Sequence, residues 1–220
     1  MGGPGFGFGG GKVVTNAPYS GVAVSTFTQT LSNGNVISES NCTKVYRDSL
    51  GRTRVEETRS SSTCSATPSM ILIRDPVAGV QYDIDPQNNS YRQITLKAPP
   101  ARTAPANPPN RPSPPNVQTT TLTPPMPILG TSLFAQGTQT VRTIPAGQIG
   151  NAQPINVTST RWYSPDLQVV IQSSSDDPRR GKSSYQLSNV STANPAESLF
   201  QLPAGLTQKQ GRAGFGRPAR

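Results

Sequence analysis

Apolar and polar side chains alternate along much of this sequence, in short runs that are separated by turn motifs. Val80, Tyr82 and Ile84 alternate with polar residues, which is typical of a strand with one buried face. An earlier run rich in β-branched residues ends at Asn33-Gly34, a dipeptide that strongly favours a hairpin turn. Because similar turn signals recur about every 8–12 residues, the sequence predicts an antiparallel all-β domain.

The predicted elements are strands almost throughout. No long stretch carries the apolar repeat of an amphipathic helix, and only residues 195–202 are predicted to form a short helical turn. The predicted strands cover residues 22–31, 36–46, 53–60, 70–74, 80–84, 90–96, 136–144, 155–163, 167–173 and 183–190.

Glycine and proline are concentrated in three segments that divide the chain. Residues 1–12 are mostly glycine, residues 97–127 hold 11 of the 23 prolines, and residues 206–220 are basic and lack acidic side chains. Ordering glycine costs backbone entropy, and proline-rich stretches favour extended conformations, so neither composition favours a packed core. The sequence therefore predicts a single β domain over residues 13–205, interrupted by a proline-rich linker at 97–127 and flanked by disordered tails.

The net charge of +9 comes mainly from residues outside the predicted strands. Residues 13–96 contain seven basic and seven acidic side chains, and residues 119–205 contain five basic and four acidic ones. A folded nucleic-acid-binding domain would instead concentrate lysine and arginine on one face. We therefore expect no specific binding of nucleic acid.

The composition also excludes several kinds of catalytic and metal site. The chain has no histidine and two cysteines, so it forms neither a Ser-His-Asp triad nor a four-cysteine zinc site. Asp75 and Asp85 each precede a proline, where aspartate commonly begins a turn through its own side chain. We expect a protein that is not an enzyme, with no cofactor and no metal. We also expect no transmembrane segment, because no apolar run is long enough to span a bilayer.

Cys42 and Cys64 are the two cysteines of the chain. Two cysteines in a sequence rich in Ser, Thr and Asn suit an exported protein, in which a disulfide forms and persists. The predicted hairpin register places Cys42 opposite residue 57, so a bridge to Cys64 requires the loop at 60–66 to fold back over the second strand. Two unrelated free thiols are the alternative, and the bridge is preferred.

The beginning of the sequence shows no secretory signal. Met1 leads into glycines rather than into a charged segment followed by an apolar one. The expectation of export therefore implies that a precursor has been trimmed, or that Met1 replaces a removed leader.

Three aromatic residues are candidates for a ligand-binding face. Trp162 and Tyr163 form the most strongly aromatic dipeptide, and Tyr82 lies on the apolar side of a predicted strand. Aromatic rings of this kind stack on sugars or lipids, but a single Trp in a β protein more often packs in the core. Both interpretations stay open at the level of the sequence.

A further set of motifs lies in turns and at strand ends. It comprises Tyr46–Arg54, Ile73–Tyr82 with Asp85-Pro86, Thr143–Asn151 with Pro154-Ile155, Arg161–Leu167, and Ser198–Ala204. Through these motifs, over nearly all of residues 13–205, the chain resembles a group of uncharacterised exported bacterial proteins that are common in Acidobacteria. This resemblance implies a bacterial, exported protein and no known activity.

A second, more distant resemblance concerns the order of the elements. Strands, a linker, further strands and the motif Leu199-Phe200-Gln201-Leu202-Pro203 are similar to the arrangement in the periplasmic lipoprotein-carrier (LolA/LolB-like) superfamily. That resemblance implies a curved antiparallel sheet, or incomplete β-barrel, whose concave face holds lipid chains. The carriers close the open side of the sheet with helices, whereas this sequence predicts no lid helix.

Together these features predict a non-catalytic cell-envelope protein, periplasmic or extracellular, that binds a hydrophobic ligand (lipid or lipoprotein) or an envelope protein partner. Apolar burial would supply the affinity without proton transfer or metal chemistry. The alternative is a structural or self-associating extracellular protein whose sheet edges pair between copies and whose low-complexity tails act as connectors. A third hypothesis is a hydrolase of cell-wall sugars, which needs two carboxylates about 5–10 Å apart in a cleft.

Overall fold

The computed structural model describes residues 13–96 and 116–209. The predicted tail at 1–12, most of the predicted linker and the end of the basic tail lie outside these residues. The described part consists almost entirely of strands, so the predicted all-β fold class is confirmed. Among the described residues, no helix has the length and hydrophobicity that a bilayer crossing requires. The strands are β1 (Tyr19–Thr30), β2 (Val36–Arg47), β3 (Thr53–Thr58), β4 (Met70–Asp75), β5 (Val80–Asp85), β6 (Ser90–Thr95), β7 (Val117–Pro127), β8 (Phe134–Ile144), β9 (Ile155–Ser164), β10 (Val169–Asp177), β11 (Gly181–Ser191) and β12 (Thr207–Gln208).

These strands form one 12-stranded, mostly antiparallel sheet that is curved and stays open. Strands β1 to β6 follow one another as a meander, and β7 to β11 form a second meander. The two meanders join where β1 pairs with β11, so the order across the sheet is β12-β6-β5-β4-β3-β2-β1-β11-β10-β9-β8-β7. One edge of the sheet is therefore β7. The other edge is β6, which the two residues of β12 cover in part.

Two strands lie where the sequence predicted a linker or a tail. β7 starts at residue 117, inside the predicted linker, and β12 lies inside the predicted C-terminal tail. The prediction of a linker does not hold from residue 117 onwards, because residues 117–123 contain Val, Leu and four Thr, which favour strands. The prolines of β7 lie at its end and on an edge strand, where the missing N–H of proline is tolerated.

The buried side chains form two clusters on different parts of the sheet. The smaller cluster contains Ile73, Ile84 and Phe200 and joins β4 and β5 to a short 3-10 helix. The larger cluster, called the end cluster here, lies where β1, β2, β10 and β11 meet the turns between β7 and β8 and between β9 and β10. Its buried members are Tyr19, Ala23, Val45, Ile128, Ala135, Leu167, Ile171, Tyr185, Leu187 and Val190.

The chain after β11 crosses back over the first meander as a strap, defined here as residues 192–209. It contains a 3-10 helix at Glu197–Phe200, which is the helical turn predicted at 195–202. Phe200 is 3% exposed, and Leu202 packs against the same cluster. β12 then pairs in parallel with the start of β6. The strap therefore covers the apolar side of β4 and β5.

The turn between β2 and β3 holds the strap in place. The buried carboxylate of Asp48 accepts hydrogen bonds from both the backbone N–H and the Nε of Arg52. Arg52 also forms an ion pair with Glu197 at 3.1 Å, and the N–H of Ser49 donates to Oδ1 of Asn194 at 2.9 Å. The sequence motif Tyr46–Arg54 thus connects the first meander to the strap.

Candidate functional site

A cleft opens at the end of the sheet, where three segments that are distant in sequence meet. The segments are residues 16–18 before β1, residues 131–133 between β7 and β8, and residues 166–167 between β9 and β10. The cleft has a volume of about 250 Å³ and is open to solvent on one side. We call it the end cleft; its lining residues are Asn16, Ala17, Pro18, Thr131, Ser132, Leu133, Asp166, Leu167 and Thr192.

Arg47, the last residue of β2, fixes two of these three segments. Its Nε and Nη2 atoms donate hydrogen bonds to the carbonyl oxygen of Ala17 at 2.9 and 2.6 Å. Nη2 also donates to the carbonyl oxygen of Leu167. Because the donors of a guanidinium have a fixed, planar arrangement, this one side chain sets the distance between two walls of the cleft.

The surroundings of Arg47 keep it charged but deprive it of water. The side chain is buried, and its guanidinium carbon lies 4.7 Å from the centroid of the Tyr19 ring. Burial lowers the pKa of Arg47 from its usual value, and the nearby Tyr19 and Tyr163 partly oppose that shift. An arginine pKa starts so far above neutrality that the group stays protonated at pH 7. The buried charge is therefore compensated by carbonyl oxygens and an aromatic ring.

Local hydrogen bonds shape the two turns that form the other walls. In the β7–β8 turn, Oγ1 of Thr131 donates to the carbonyl oxygen of Ile128 at 2.8 Å and accepts from the N–H of Leu133 at 3.1 Å. In the β9–β10 turn, the N–H of Leu167 donates to Oγ of Ser164 at 3.3 Å. Each turn is held by its own side chains, so the end cleft is preformed.

Two large apolar side chains are exposed next to Leu133 of the cleft wall, one on the β7–β8 turn and one on the first residue of β8. Leu129 is 83% exposed and Phe134 is 55% exposed. Exposed apolar side chains grouped beside a concave site are a feature of interaction surfaces. Leu129 thus presents an apolar group to solvent on the same turn that supplies Leu133 to the cleft, and Phe134 presents a second one directly after it.

The end cleft offers binding groups of mixed character. Asp166 is the single carboxylate among its lining residues, whereas hydrolysis of sugars by two carboxylates needs a second one in the same cleft. Over the described residues, no group of three or more His, Cys, Asp or Glu side chains is placed to hold a metal ion. The remaining polar groups are hydroxyls and an amide, and the apolar ones are Ala17, Pro18, Leu133 and Leu167.

Two aspartates of the first meander stabilise turns through their side chains. Oδ1 of Asp75 accepts hydrogen bonds from the N–H groups of Val77 and Ala78. Asp85 accepts from the backbone and the side chain of Asn88, which lowers the pKa of the Asp85 carboxyl. Both residues therefore begin turns in the way that their position before proline predicts.

The three aromatic residues proposed as a ligand face do not meet at one site. Trp162 packs against the end cluster and lies over Gly137 of the neighbouring strand β8. Tyr163 follows it in β9 and points to the other face of the sheet, since successive strand residues alternate. Tyr82 belongs to the smaller cluster, with its ring centroid 6.0 Å from that of Tyr91. The structure therefore does not place these three side chains on one shared ligand face. Contact of any one of them with a ligand stays a prediction.

The structure contains the disulfide between Cys42 and Cys64. Cys42 lies opposite Thr58, one residue beyond the predicted position, and the loop after β3 folds back over β2. The N–H of Ser60, for example, donates to Oδ1 of Asn41 at 3.0 Å. Because structural disulfides form and persist in oxidising compartments, the bridge points to an exported protein.

The end cleft could not be identified from the sequence. Its walls come from residues 16–18, 131–133 and 166–167, and no local pattern relates three such distant segments. Arg47 lies in one of the motifs singled out above, but nothing in the motif indicates which carbonyl groups it binds. One signal was present: Leu129 is an apolar residue directly before a glycine in a turn, where polar residues are usual.

The described chain belongs to the class of open, curved, mostly antiparallel sheets. No family model matches the sequence, and no curated protein matches it. Solved structures that align with it include the MucA/MucB complex from Pseudomonas aeruginosa, at 12% identity and a TM-score of 0.45, with 92% of this chain and 62% of that chain covered. This chain thus spans about three fifths of the MucB chain.

Two further solved structures align over most of both chains. A LolA superfamily protein from Nitrosomonas europaea is 9% identical, with a TM-score of 0.35, and the alignment covers 86% of this chain and 91% of that one. A DUF1329 family protein from Desulfovibrio piger is 11% identical, with a TM-score of 0.31 and coverages of 85% and 90%. The superfamily that the sequence distantly resembles is thus among the structural neighbours, at low identity.

Proposed function

We propose that this chain is a non-catalytic, exported protein of the cell envelope that binds an envelope protein partner at the end cleft. An apolar side chain of the partner enters the cleft, and Leu129 and Phe134 pack against the partner's surface. The observation that carries the proposal is the combination of a preformed cleft with two exposed apolar side chains, one on the turn that forms one of its walls and one directly after that turn.

The volume of the cleft favours a protein partner over a whole lipid molecule. Pockets for small-molecule ligands usually have volumes of about 300–1,000 Å³ and enclose most of the ligand. The end cleft has a volume of about 250 Å³ and is open on one side, which suits one or two inserted side chains. Binding of a lipid, which the sequence predicted, is one of the outcomes that the test below distinguishes.

Burial of the exposed side chains supplies the affinity. Complete burial of a Leu or Phe side chain contributes about 1.5–3 kcal/mol, so Leu129 and Phe134 together contribute about 3–6 kcal/mol before the cost of association. The hydroxyl group of Ser132 in the cleft wall is available to orient the partner's backbone. No proton transfer is required.

The disulfide supports a location in the periplasm or the extracellular space. Cys42 is fully buried beneath the loop that carries Cys64. In a reducing cytoplasm such a bridge is rarely maintained, whereas exported proteins keep it. A partner in the cell envelope follows from that location.

Photo-crosslinking from the turn beside the cleft tests the proposal. The photoreactive residue p-benzoylphenylalanine replaces Leu129, Phe134 or, as a matched control, Val77, which is 69% exposed in the turn between β4 and β5. Each protein is irradiated in an envelope extract of the bacterium that produces it. We expect the first two probes to give the same discrete protein adduct, because both would lie in the interface, and the Val77 probe to give none of it.

Two results would contradict the proposal. One is a set of adducts that is the same for all three probes, which would mean that capture reflects exposure alone. The other is an adduct whose added mass is that of a lipid, since this would assign the cleft to the hydrophobic ligand predicted from the sequence.

A further inference from the structure

The edge strand β7 presents a row of backbone groups that pair with no other strand of the described chain. The carbonyl oxygen of Asn116 accepts a hydrogen bond from the N–H of Thr143, and Val117 lies opposite Arg142. In an antiparallel ladder, residues whose backbone groups face the neighbouring strand alternate with residues whose groups face away. The even-numbered residues from 116 to 122 therefore bond to β8. The odd-numbered ones from 117 to 121 direct their N–H and C=O groups to the free edge.

The two edges of the sheet differ in how they are protected against pairing. β12 covers Ser90 and Tyr91 of β6, and Arg92 places a charge on the next residue. Proteins commonly block their sheet edges with charged residues, prolines or covering segments. β7 carries no charged residue, and its prolines are confined to residues 124–127. Among the described residues, 117–123 are thus the part of the edge that carries no charge, proline or covering segment.

We propose that a second copy of this chain pairs antiparallel with β7. The two-fold axis of the pair passes midway between Thr120 of one copy and Thr120 of the other. This register places Thr119 of one copy opposite Thr121 of the other, so that the outward-facing groups of both residues are hydrogen-bonded. It also places the three successive threonines Thr119, Thr120 and Thr121 of one copy opposite threonines of the other. The contact is isologous, as is usual for two-fold dimers, and the sheet continues through both copies.

The sequence of β7 favours a second copy over an unrelated segment. Residues 117–123 read Val-Gln-Thr-Thr-Thr-Leu-Thr, so Thr119 and Thr121 are symmetric about Thr120 and the pairing brings no like charges together. Opposed threonines are a favourable cross-strand pair. The same arrangement already occurs inside the sheet, where Thr119 lies opposite Thr140 with their hydroxyls 3.5 Å apart. A second copy extends this row of hydroxyl groups.

Charge substitutions at the edge test the dimer and its register together. In the proposed register, T119K/T121K places lysine opposite lysine, whereas T119K/T121E places lysine opposite glutamate. Both positions are exposed, so the fold is unaffected, which Trp162 fluorescence and circular dichroism verify. By sedimentation analysis we expect the full chain to have twice its mass of 23.3 kDa, T119K/T121K to be monomeric and T119K/T121E to be dimeric.

Several results would overturn this inference. They are a full chain that is monomeric up to high micromolar concentration, a dimer that T119K/T121K leaves intact, and a dimer that both double variants break equally. Hydrogen exchange adds one more: slow exchange of the Thr119 and Thr121 amides in a monomer would assign the edge to another segment of the same chain. None of these results affects the cross-linking at the end cleft, because β7 residues 117–123 do not line it.

Discussion

Single residues decide how the turns and close contacts of this sheet form. Gly51, in the β2–β3 turn, has a φ of +83°, and a Cβ at this position would lie 3.0 Å from the carbonyl oxygen of Val14. Arg47 connects the carbonyl oxygens of Ala17 and Leu167. Substitution of Arg47 would leave the buried carbonyl oxygen of Leu167 and the partly buried one of Ala17 without their donor, which is costly. The walls of the end cleft therefore depend on one side chain more than on any regular element.

Alanine substitutions at two glycines separate backbone strain from steric collision. Gly147 has a φ of +80°, and a methyl group added there would meet no atom within 4 Å, whereas at Gly181, with a φ of +107°, the methyl group would collide with the carbonyl oxygen of Thr28. We expect Gly147→Ala to lower the free energy of unfolding by about 1–2 kcal/mol, the cost of a positive φ, and Gly181→Ala to lower it further. Urea unfolding followed by Trp162 fluorescence measures both. Equal losses of unfolding free energy in the two variants would contradict the close approach of β11 to β1.

Removal of the disulfide is expected to weaken the fold without changing its topology. Cys42 and Cys64 are 22 residues apart in sequence, and a bridge closing a loop of this size stabilises by about 3 kcal/mol in the chain-entropy model. We expect C42A/C64A to lose about this amount in urea unfolding. A free-thiol assay on the unreduced protein should find no thiol. Two reactive thiols would contradict the bridge and remove its support for export.

At the level of the elements, the first meander could be predicted from sequence and β7 could not. The alternation in β5 and the aspartates that begin the turns at Asp75 and Asp85 are local signals, and local hydrogen bonds realise them. In β7 the prolines dominated the composition of the whole stretch from 97 to 127 and concealed the strand-forming threonines before them. The strap was foreseen only as a helical turn, because its docking depends on partners such as Ile73 that lie far away in sequence.

Truncation of Phe200 tests how firmly the strap is docked. Phe200 is almost fully buried between the strap and the first meander, and replacing a buried Phe by Ala costs about 3–5 kcal/mol. The control is Phe134→Ala, the same change at a side chain that is more than half exposed, for which we expect a much smaller loss. Urea unfolding compares the two variants. Similar losses in both would contradict the covering of the sheet by the strap.

The turn between β10 and β11 should contribute to stability in a pH-dependent way. Nε and Nη2 of Arg179 donate to the Asp177 carboxylate at 2.9 and 2.7 Å, and these bonds lower the pKa of Asp177. A carboxyl with a lowered pKa in the folded state stabilises the fold above its unfolded pKa of about 3.9, and this stabilisation is lost as the pH falls through the folded pKa. We expect Asp177→Asn to lower the melting temperature at pH 7, by an amount that shrinks below about pH 4. A constant difference between the two proteins down to about pH 3 would contradict the assignment.

Over the described residues the molecule is an open sheet, and the proposed binding depends on the groups that its end and its edges leave uncovered. The strap covers one side of β4 and β5, and the end cluster fills the junction of the two meanders. The end cleft lies at that junction, with Leu129 on the turn that forms one of its walls and Phe134 directly after that turn. The position of the cleft could not be predicted from the hydrophobic periodicity of the sequence, because a cleft formed by three distant segments exists only after the sheet has assembled. The sequence did predict the all-β fold class correctly.

The affinity for the cross-linked partner tests the central claim most directly. Titration calorimetry compares the unmodified chain with the double variant Leu129→Asp/Phe134→Asp and with the control Val77→Asp. If the end cleft is the binding site, the double variant should lose at least about a hundredfold in affinity, since each apolar side chain contributes about one factor of ten or more, and the control should bind normally. Equal affinity in all three proteins would show that the partner binds elsewhere.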